Sequence, residues 1–557
     1  MKKIFLISIA LFCLNYAASA QQWYKLKDTL RRPSGTLDAE ITYLKVLNNR
    51  LFVTGTFDSV NNINLKVNTV TAWDGQQWHK FDDGTYNGIP GDYILDIEYY
   101  NGRTYFGSFY AVLTNPNFYW TGSNWGTPLV APNASITALK SYNGKLYVSG
   151  GFGYLETISN PTFMLSPLFA VFDGANWTSS YPNNGPNDVV YAFEIYNGEL
   201  YATGNFDHFF GQLGAIQTLF VARYDGTSWK PVGGGADCYG TAMAVDTFNN
   251  VLYVGGCFDH VFDEQFNPIP VDGIGLWDGF GWHSVGYDDA VQWELNEHAL
   301  AVYRGDLYAG LTVSDAGYMY HCIARWDGVK WDSLGHGLNN NALSLAVYQD
   351  TLWVGGAFTT VDDDTVAQGL AKWFMPDTSC NYMKPTIHTL ADTFYINTGQ
   401  PIVNVQFYNN NAYVNSWAWD FGDLGTAATQ NPTHSYSTVG TYNVSTAVTH
   451  NACTKTANKT IVIIDNTGIA EFTKESLQFK LYPNPTSGDV TVECTIPKDK
   501  TGLLKTHQLN GTTKDEYHLQ NGFNKIIIPY IGLPNGVSLV SLYVDERYIF
   551  TEKVIKQ

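Results

Sequence analysis

Basic charge is scarce. The chain carries 32 Lys and Arg against 51 Asp and Glu, a formal net charge of −19, so a phosphate backbone would be repelled and nucleic acid is excluded as a general partner. Long apolar runs are also missing after residue 20, which excludes a membrane-spanning helix in the mature chain. The 7 cysteines form no CxxC and no Cys/His spacing of the kind that holds zinc. No GxSxG elbow, HExxH, phosphate-binding loop or dinucleotide glycine pattern occurs in a usable strand and helix context. These gaps remove the common enzyme signatures, but they leave open carboxylates brought together from distant positions, as in glycoside hydrolases.

Aromatic residues and glycine are abundant, with 37 Tyr, 31 Phe, 16 Trp and 52 Gly in 557 residues. That mixture suits strands joined by tight turns, so the fold class expected is all-β with two or three folded domains. At the N-terminus, Lys2 and Lys3 precede an apolar run from Ile4 to Leu14 and then Ala18-Ser19-Ala20. This is the layout of a cleavable secretory signal over residues 1–20, with the mature chain starting at Gln21.

One aromatic strand motif recurs seven times, as LFVTGTF at 51–57, TYFGSFY at 104–110, LYVSGGF at 146–152, LYATGNF at 200–206, LYVGGCF at 252–258, LYAGLTV at 307–313 and LWVGGAF at 352–358. The spacing averages about 50 residues, within the period of propeller repeats of the kelch and WD40 kind. Asn-Gly steps such as Asn101-Gly102, Asn143-Gly144 and Asn197-Gly198 precede the motif and suit two-residue hairpins. A second hairpin follows in TAWDGQQW at 71–78, AVFDGANW at 170–177, ARYDGTSW at 222–229, LWDGFGW at 276–282 and ARWDGVKW at 324–331.

Four strands per repeat follow from this order. The seventh repeat lacks its DGxxW strand, whereas QQWYKL at 21–26 matches QQWHKF at 76–81. The mature N-terminus therefore supplies the missing strand and removes the open edge. A seven-bladed β-propeller over residues 21–375 is expected, with six or eight blades as the alternatives.

Trp419-Asp420-Phe421-Gly422-Asp423, Asn431-Pro432, His434, Tyr436 and Gly440-Thr441-Tyr442 resemble the polycystic-kidney-disease (PKD) domain. The resemblance implies a small Ig-like β-sandwich over 384–465, a spacer or interaction module of extracellular bacterial proteins. Leu424 and Gly425 stand where many members carry a second Gly directly after the acidic residue. The segment 473–557, with LYPNPTSGDVTVE at 481–493, Asn510-Gly511, Gly522, Asn524, Leu533-Pro534-Asn535-Gly536-Val537 and Glu552-Lys553-Val554-Ile555-Lys556, resembles the type A C-terminal sorting domain of the type IX secretion system. That resemblance implies a small C-terminal β-sandwich, export through the outer membrane of a Bacteroidota-type bacterium by the type IX machinery, and an extracellular or cell-surface location. Ser538 replaces a Tyr frequent in that family.

The repeated Asp74, Asp173, Asp225, Asp278 and Asp327 read as turn residues rather than as a ring of metal ligands, and the recurring Trp as packing between sheets. Tight turns share one face of the ring, so a ligand site belongs on the opposite, variable face. Its richest loop, 287–298, combines Tyr287, Asp288, Asp289, Trp293, Glu294, Glu297 and His298, a mixture of stacking surface and acceptors suited to a sugar. Asp207-His208 and Asp259-His260 occupy equivalent places in neighbouring repeats and together would suit a divalent cation or an acid and base pair; inherited repeat sequence explains them equally.

No motif calls for a cofactor; Asp362-Asp363-Asp364 is a hairpin tip that would admit Ca²⁺. Cys238 and Cys257 flank a predicted hairpin near Phe248-Asn249-Asn250 and are expected either to bridge or to remain two buried thiols. The functional expectation is a non-enzymatic surface or secreted binding protein whose variable face engages a polysaccharide or a surface protein. The alternatives are a secreted carbohydrate-active or other hydrolytic enzyme and a structural surface component.

Overall fold

The computed structural model describes residues 22–26, 30–31, 39–60, 63, 65–89, 93–109, 119–127, 130–157, 163–180, 185–211, 214–286, 295–311, 322–362, 365–375, 380, 382–389, 391–396, 401–411, 414–465, 474, 476–508, 513–529, 536–544 and 547–556. The proposed signal segment lies outside these residues. Among them there is no α-helix, and no helix is long and apolar enough to cross a membrane. The chain is all-β.

Residues 22–374 form seven four-stranded antiparallel sheets. The first comprises Ile41–Leu47, Arg50–Gly55, Val70–Trp73 and Trp78–His79. In the last, Gln22–Lys25 pairs with Leu370–Phe374, which continues through Leu352–Gly356 to Ala342–Val347. The N-terminal strand thus completes the sheet made by the seventh repeat.

The first strands are Ile41–Leu47, Ile94–Tyr100, Ala138–Tyr142, Val190–Tyr196, Gly240–Asp246, Leu295–Tyr303 and Ala342–Val347. Each packs beside the next, and the seventh packs beside the first.

Local chemistry explains the hairpins. At the first turn of the sheets, Asn101, Asn143 and Asn197 have φ of 48°, 47° and 51°, and the glycines after them are also left-handed, the backbone a two-residue turn between twisted strands requires. At the second turn, one carboxylate oxygen of each repeated Asp accepts two backbone N–H groups, as Asp74 does from Gln76 and Gln77 at 2.8 Å. Asp173, Asp225, Asp278 and Asp327 repeat the arrangement. One oxygen of each is thus spent on the turn, which accounts for the recurrence of Asp at this position.

Two sets of side chains join neighbouring sheets. Indole N–H groups of Trp125, Trp177, Trp282, Trp331 and Trp23 donate to the carbonyls of Phe81, Val130, Val232, Val285 and Leu334, each at 2.9 Å or 2.8 Å and each on the preceding sheet or just after it. Tyrosine hydroxyls run the other way. Tyr100, Tyr142, Tyr196 and Tyr303 donate to the carbonyls of Gly144, Gly198, Asn250 and Asp350 in the following sheet, and Tyr348 of the seventh sheet donates to Asn49 of the first at 3.0 Å. A buried hydroxyl or indole N–H left without a partner is costly, so these bonds fix the spacing of the sheets as well as filling it.

Residues 393–465 form a five-stranded sheet, ordered Thr393–Ile396, Cys453–Asp465, Gly440–His450, Ser416–Asp420 and Thr426–Ala427, together with the pair Val403–Gln406 and Thr433–Tyr436. Between them lies a core containing Trp419, Phe421, Tyr436, Phe407, Val444 and Ile461. Cys380 is bonded to Cys453, with Cα atoms 5.6 Å apart. Beyond it, a three-stranded and a four-stranded sheet enclose a separate core around Val490, Val492, Leu504, Val540 and Leu542.

The module of residues 382–465 sits against the tight-turn face of the ring. Asn249, in a first turn, donates to the Tyr382 carbonyl at 2.9 Å and accepts from Lys384 N–H at 2.8 Å and from Asn411 at 2.9 Å. Lys384 Nζ also reaches Asp306 at 3.0 Å. His388 stacks on Phe280, with ring centroids 5.0 Å apart, and lies 3.4 Å from Asp278.

Candidate functional site

The face opposite the docked module is built from the longer connections. Small antiparallel ribbons rise there, each using a segment between two sheets and a hairpin from within one, such as Val130–Pro132 with Tyr154–Thr157 and Phe163–Leu165, or Gly185–Pro186 with His208–Gly211 and Gly214–Gln217. An Asx side chain joins the pieces. Asn187 Oδ1 accepts the N–H groups of Asp207 and His208 at 3.1 and 3.0 Å, and Asp237 Oδ1 accepts those of Asp259 and His260 at 3.0 and 3.2 Å. Asn133 and Asn339 do the same for Gly153-Tyr154 and Thr359-Thr360.

This repeated clamp places the two Asp-His pairs. His208 turns to its own Asp207 at 2.7 Å, holding that carboxyl below its usual range through the hydrogen bond. His260 instead turns to Asp237 at 2.9 Å. The two histidines therefore have different carboxylate partners, and among the described residues no group of three or more His, Cys, Asp or Glu is disposed to hold a metal.

Tyr287, Asp288, Asp289, Trp293 and Glu294 lie outside the described residues. Glu297 and His298 fall within the strand Leu295–Tyr303, with their side chains outside the description. Asp362 has φ of 52° and accepts the His336 N–H at 2.9 Å; Asp363 and Asp364 lie outside the described residues. Cys238 and Cys257 are bonded, with Cα atoms 5.6 Å apart, beside the hairpin of Gly240–Asp246 and Val251–Gly256. Exposed aromatics in the ribbons and connections of this face include Phe109, Tyr154, Phe210, Tyr239 and Phe266.

A second site lies on the axis, where the first strands surround a cavity of about 270 Å³. The residue two before the end of each first strand is in turn Lys45, Glu98, Lys140, Glu194, Ala244, Ala301 and, in register with the rest, Ala346. Four alternating charges thus face three alanines.

Lys140 Nζ bonds Glu194 at 2.6 Å, and Lys45 Nζ lies 3.4 Å from Asp96, which also accepts the Tyr43 hydroxyl at 2.5 Å and the Leu139 N–H at 2.8 Å. Burial alone would raise the Glu194 carboxyl, but Lys140 and Lys45 outweigh it and hold it low. Glu98, buried and bonded to Ser141 at 3.2 Å, is raised because burial disfavours its charged form. Sequence reasoning missed this site. The signal for it was the register: the same strand position alternates Lys and Glu over four repeats and becomes Ala in the other three.

The solved structures similar to this chain include several distant likenesses. The computationally designed Ika8 protein is 14% identical, with 64% of this chain and 100% of that chain covered and a TM-score of 0.37. The fibronectin(III)-like modules of Clostridium thermocellum CbhA are 12% identical over 30% of this chain and 92% of theirs, at 0.18. Bacteroides uniformis beta-glucuronidase 3 is 11% identical over 36% of this chain and 28% of that one, at 0.15. No curated protein matches the chain. One family model does match: residues 382–464, with the stacked Phe421 and His434, the Asp423 partner of that histidine and the Trp419 core, form a PKD domain.

Proposed function

We propose that this chain is an exported, non-enzymatic binding or adhesion protein. A seven-bladed β-propeller over 21–375 engages a glycan or a surface protein through its variable face. Residues 384–465 carry it on the opposite side, and 473–557 direct type IX secretion to the cell surface after removal of residues 1–20. The cyclic order of the first strands and the pairing of Gln22–Lys25 with Leu370–Phe374 support the propeller reading.

The observation that carries the functional reading is the division of faces. The PKD domain occupies the tight-turn side through Asn249, Asp278 and Asp306, whereas the ribbon side presents exposed aromatic side chains from several repeats. Aromatic surface rimmed by polar turns is the composition of recognition patches for sugars and proteins.

The test is a pull-down of the mature chain on a panel of insoluble polysaccharides, scoring bound protein and newly formed reducing ends. Binding without release, reduced by Tyr154→Ala or Phe210→Ala, is the expected result. Release of reducing ends would replace this reading with that of a hydrolase, and neither binding nor release would remove the glycan from it.

A further inference from the structure

The axial cavity has a composition that the variable face does not share. Ala242, Ala244, Ala301 and Ala346 line it from the last three sheets, beside larger apolar residues such as Met243 and Leu300, and Lys45, Asp96 and Glu194 line it from the first, second and fourth. Alanine at these positions leaves space that a larger residue would fill. The resulting 270 Å³ equals the liquid volume of roughly nine waters and lies just under the range of small-molecule sites. Among the described residues each first strand has a strand neighbour on one edge only, so its other edge turns backbone N–H and C=O groups toward the axis.

The charges at the wall are answered within the protein. Lys45 faces Asp96, and Lys140 holds Glu194. An ionic ligand would have to compete with one of these pairs and leave its partner unmatched in a partly desolvated place. A ligand with hydroxyl groups has no such requirement, since each hydroxyl both donates and accepts. It can accept from the Lys45 ammonium, whose bonds to Asp96 and Tyr43 are long at 3.4 and 3.3 Å, and donate to Glu194 without separating any pair.

We infer that the axial cavity binds one ring of a neutral polyhydroxylated molecule, either a free monosaccharide or the end unit of a glycan chain. This goes beyond recognition by the variable face, because the cavity needs none of the aromatic residues there.

Isothermal titration of the mature chain with neutral monosaccharides, with oligosaccharides of the same sugars, and with glucosamine and glucuronate tests it. At least one neutral sugar is expected to bind, more tightly than either charged analogue. Ala301→Leu and Ala346→Leu, which fill the cavity, are expected to weaken that binding at least tenfold while the thermal unfolding midpoint is retained. Glu194→Gln, which adds no volume, gives the same loss if the leucine variants fail to fold. Equal affinity for free sugar and oligosaccharide marks a free monosaccharide as the occupant, and binding of oligosaccharide alone marks a chain end. Absence of neutral sugar binding, preference for a charged analogue, or insensitivity to all three cavity substitutions overturns the inference. Since the polysaccharide pull-down depends on Tyr154 and Phe210 and this titration on the axial residues, either can fail without the other.

Discussion

The ring of sheets and the PKD domain are both antiparallel β-structures, yet they are secured in different ways. Within the ring each sheet is joined to its neighbours by a Trp or Tyr that donates to a backbone carbonyl, and the last sheet is finished by the first strand of the chain. Stability there is spread over repeated contacts. The PKD domain has one core centred on Trp419, one disulfide to the preceding segment and one motif turn in which His434 stacks on Phe421 at 4.1 Å and bonds Asp423 at 2.8 Å. The ring should therefore be most sensitive where its two ends meet, and the PKD domain at its core and motif turn.

The largest effect is expected at the seam. Trp23→Ala removes a buried indole, its bond to the Leu334 carbonyl and its edge contact with Trp373, at a cost of ~3–5 kcal/mol. Differential scanning calorimetry should show the ring transition moving down. An equal fall in the PKD transition would show that the two are a single cooperative unit and would dissolve the comparison.

Next is the junction between them. Asn249→Ala leaves the Tyr382 carbonyl, the Lys384 N–H and the Asn411 amide without this partner in a buried interface, costing ~1–3 kcal/mol. Limited proteolysis should then cut between residues 375 and 382 faster than in the parent, with each part keeping its own protection. Unchanged cleavage would mean that Asn249 does not hold the PKD domain to the ring.

A smaller gain is expected in the motif turn. Leu424 is 98% exposed and adopts a φ of 76°, a left-handed conformation that costs a residue with a Cβ about 1–2 kcal/mol. Leu424→Gly should raise the PKD midpoint by a corresponding amount, measured in chemical denaturation, and leave the ring unaffected.

The smallest effect is a pH dependence of the junction. Burial lowers the His388 imidazole below its ordinary value, although Asp278 opposes the shift. The unfolded or undocked histidine then binds protons more readily than the docked one. The contribution is fully present above the ordinary value of about 6.5 and is lost as pH falls from there through the lowered value. The charged groups facing His388 are Asp278, His283 and Lys459. His388→Gln should flatten the pH dependence of proteolytic release between about pH 7 and 5; an unchanged slope would assign it elsewhere.

Much of the fold was legible because its determinants are local. Asn101-Gly102 prescribes a hairpin through left-handed φ, and Asp74 satisfies two N–H groups within three residues, so most repeats announce at least one of their own turns. The match between 21–26 and 76–81 likewise revealed the strand that completes the seventh sheet. The candidate sites were far less legible. Asp207-His208 and Asp259-His260 drew notice as adjacent residues, but what orients them, Asn187 and Asp237, lies about twenty positions earlier and carries no motif. The loop 287–298, richest by composition, lies largely outside the described residues.

By itself, then, the sequence determined strand periodicity, turn chemistry and the PKD motif, because these depend on neighbours within one hairpin. Tertiary structure alone decided that Cys380 meets Cys453, that Asn249 anchors the PKD domain, and that Lys45, Asp96 and Glu194 meet at a cavity lined in part by alanines. Each of those contacts joins residues about 50 or more positions apart, and a packed arrangement brings them within bonding distance through geometry that no local pattern encodes.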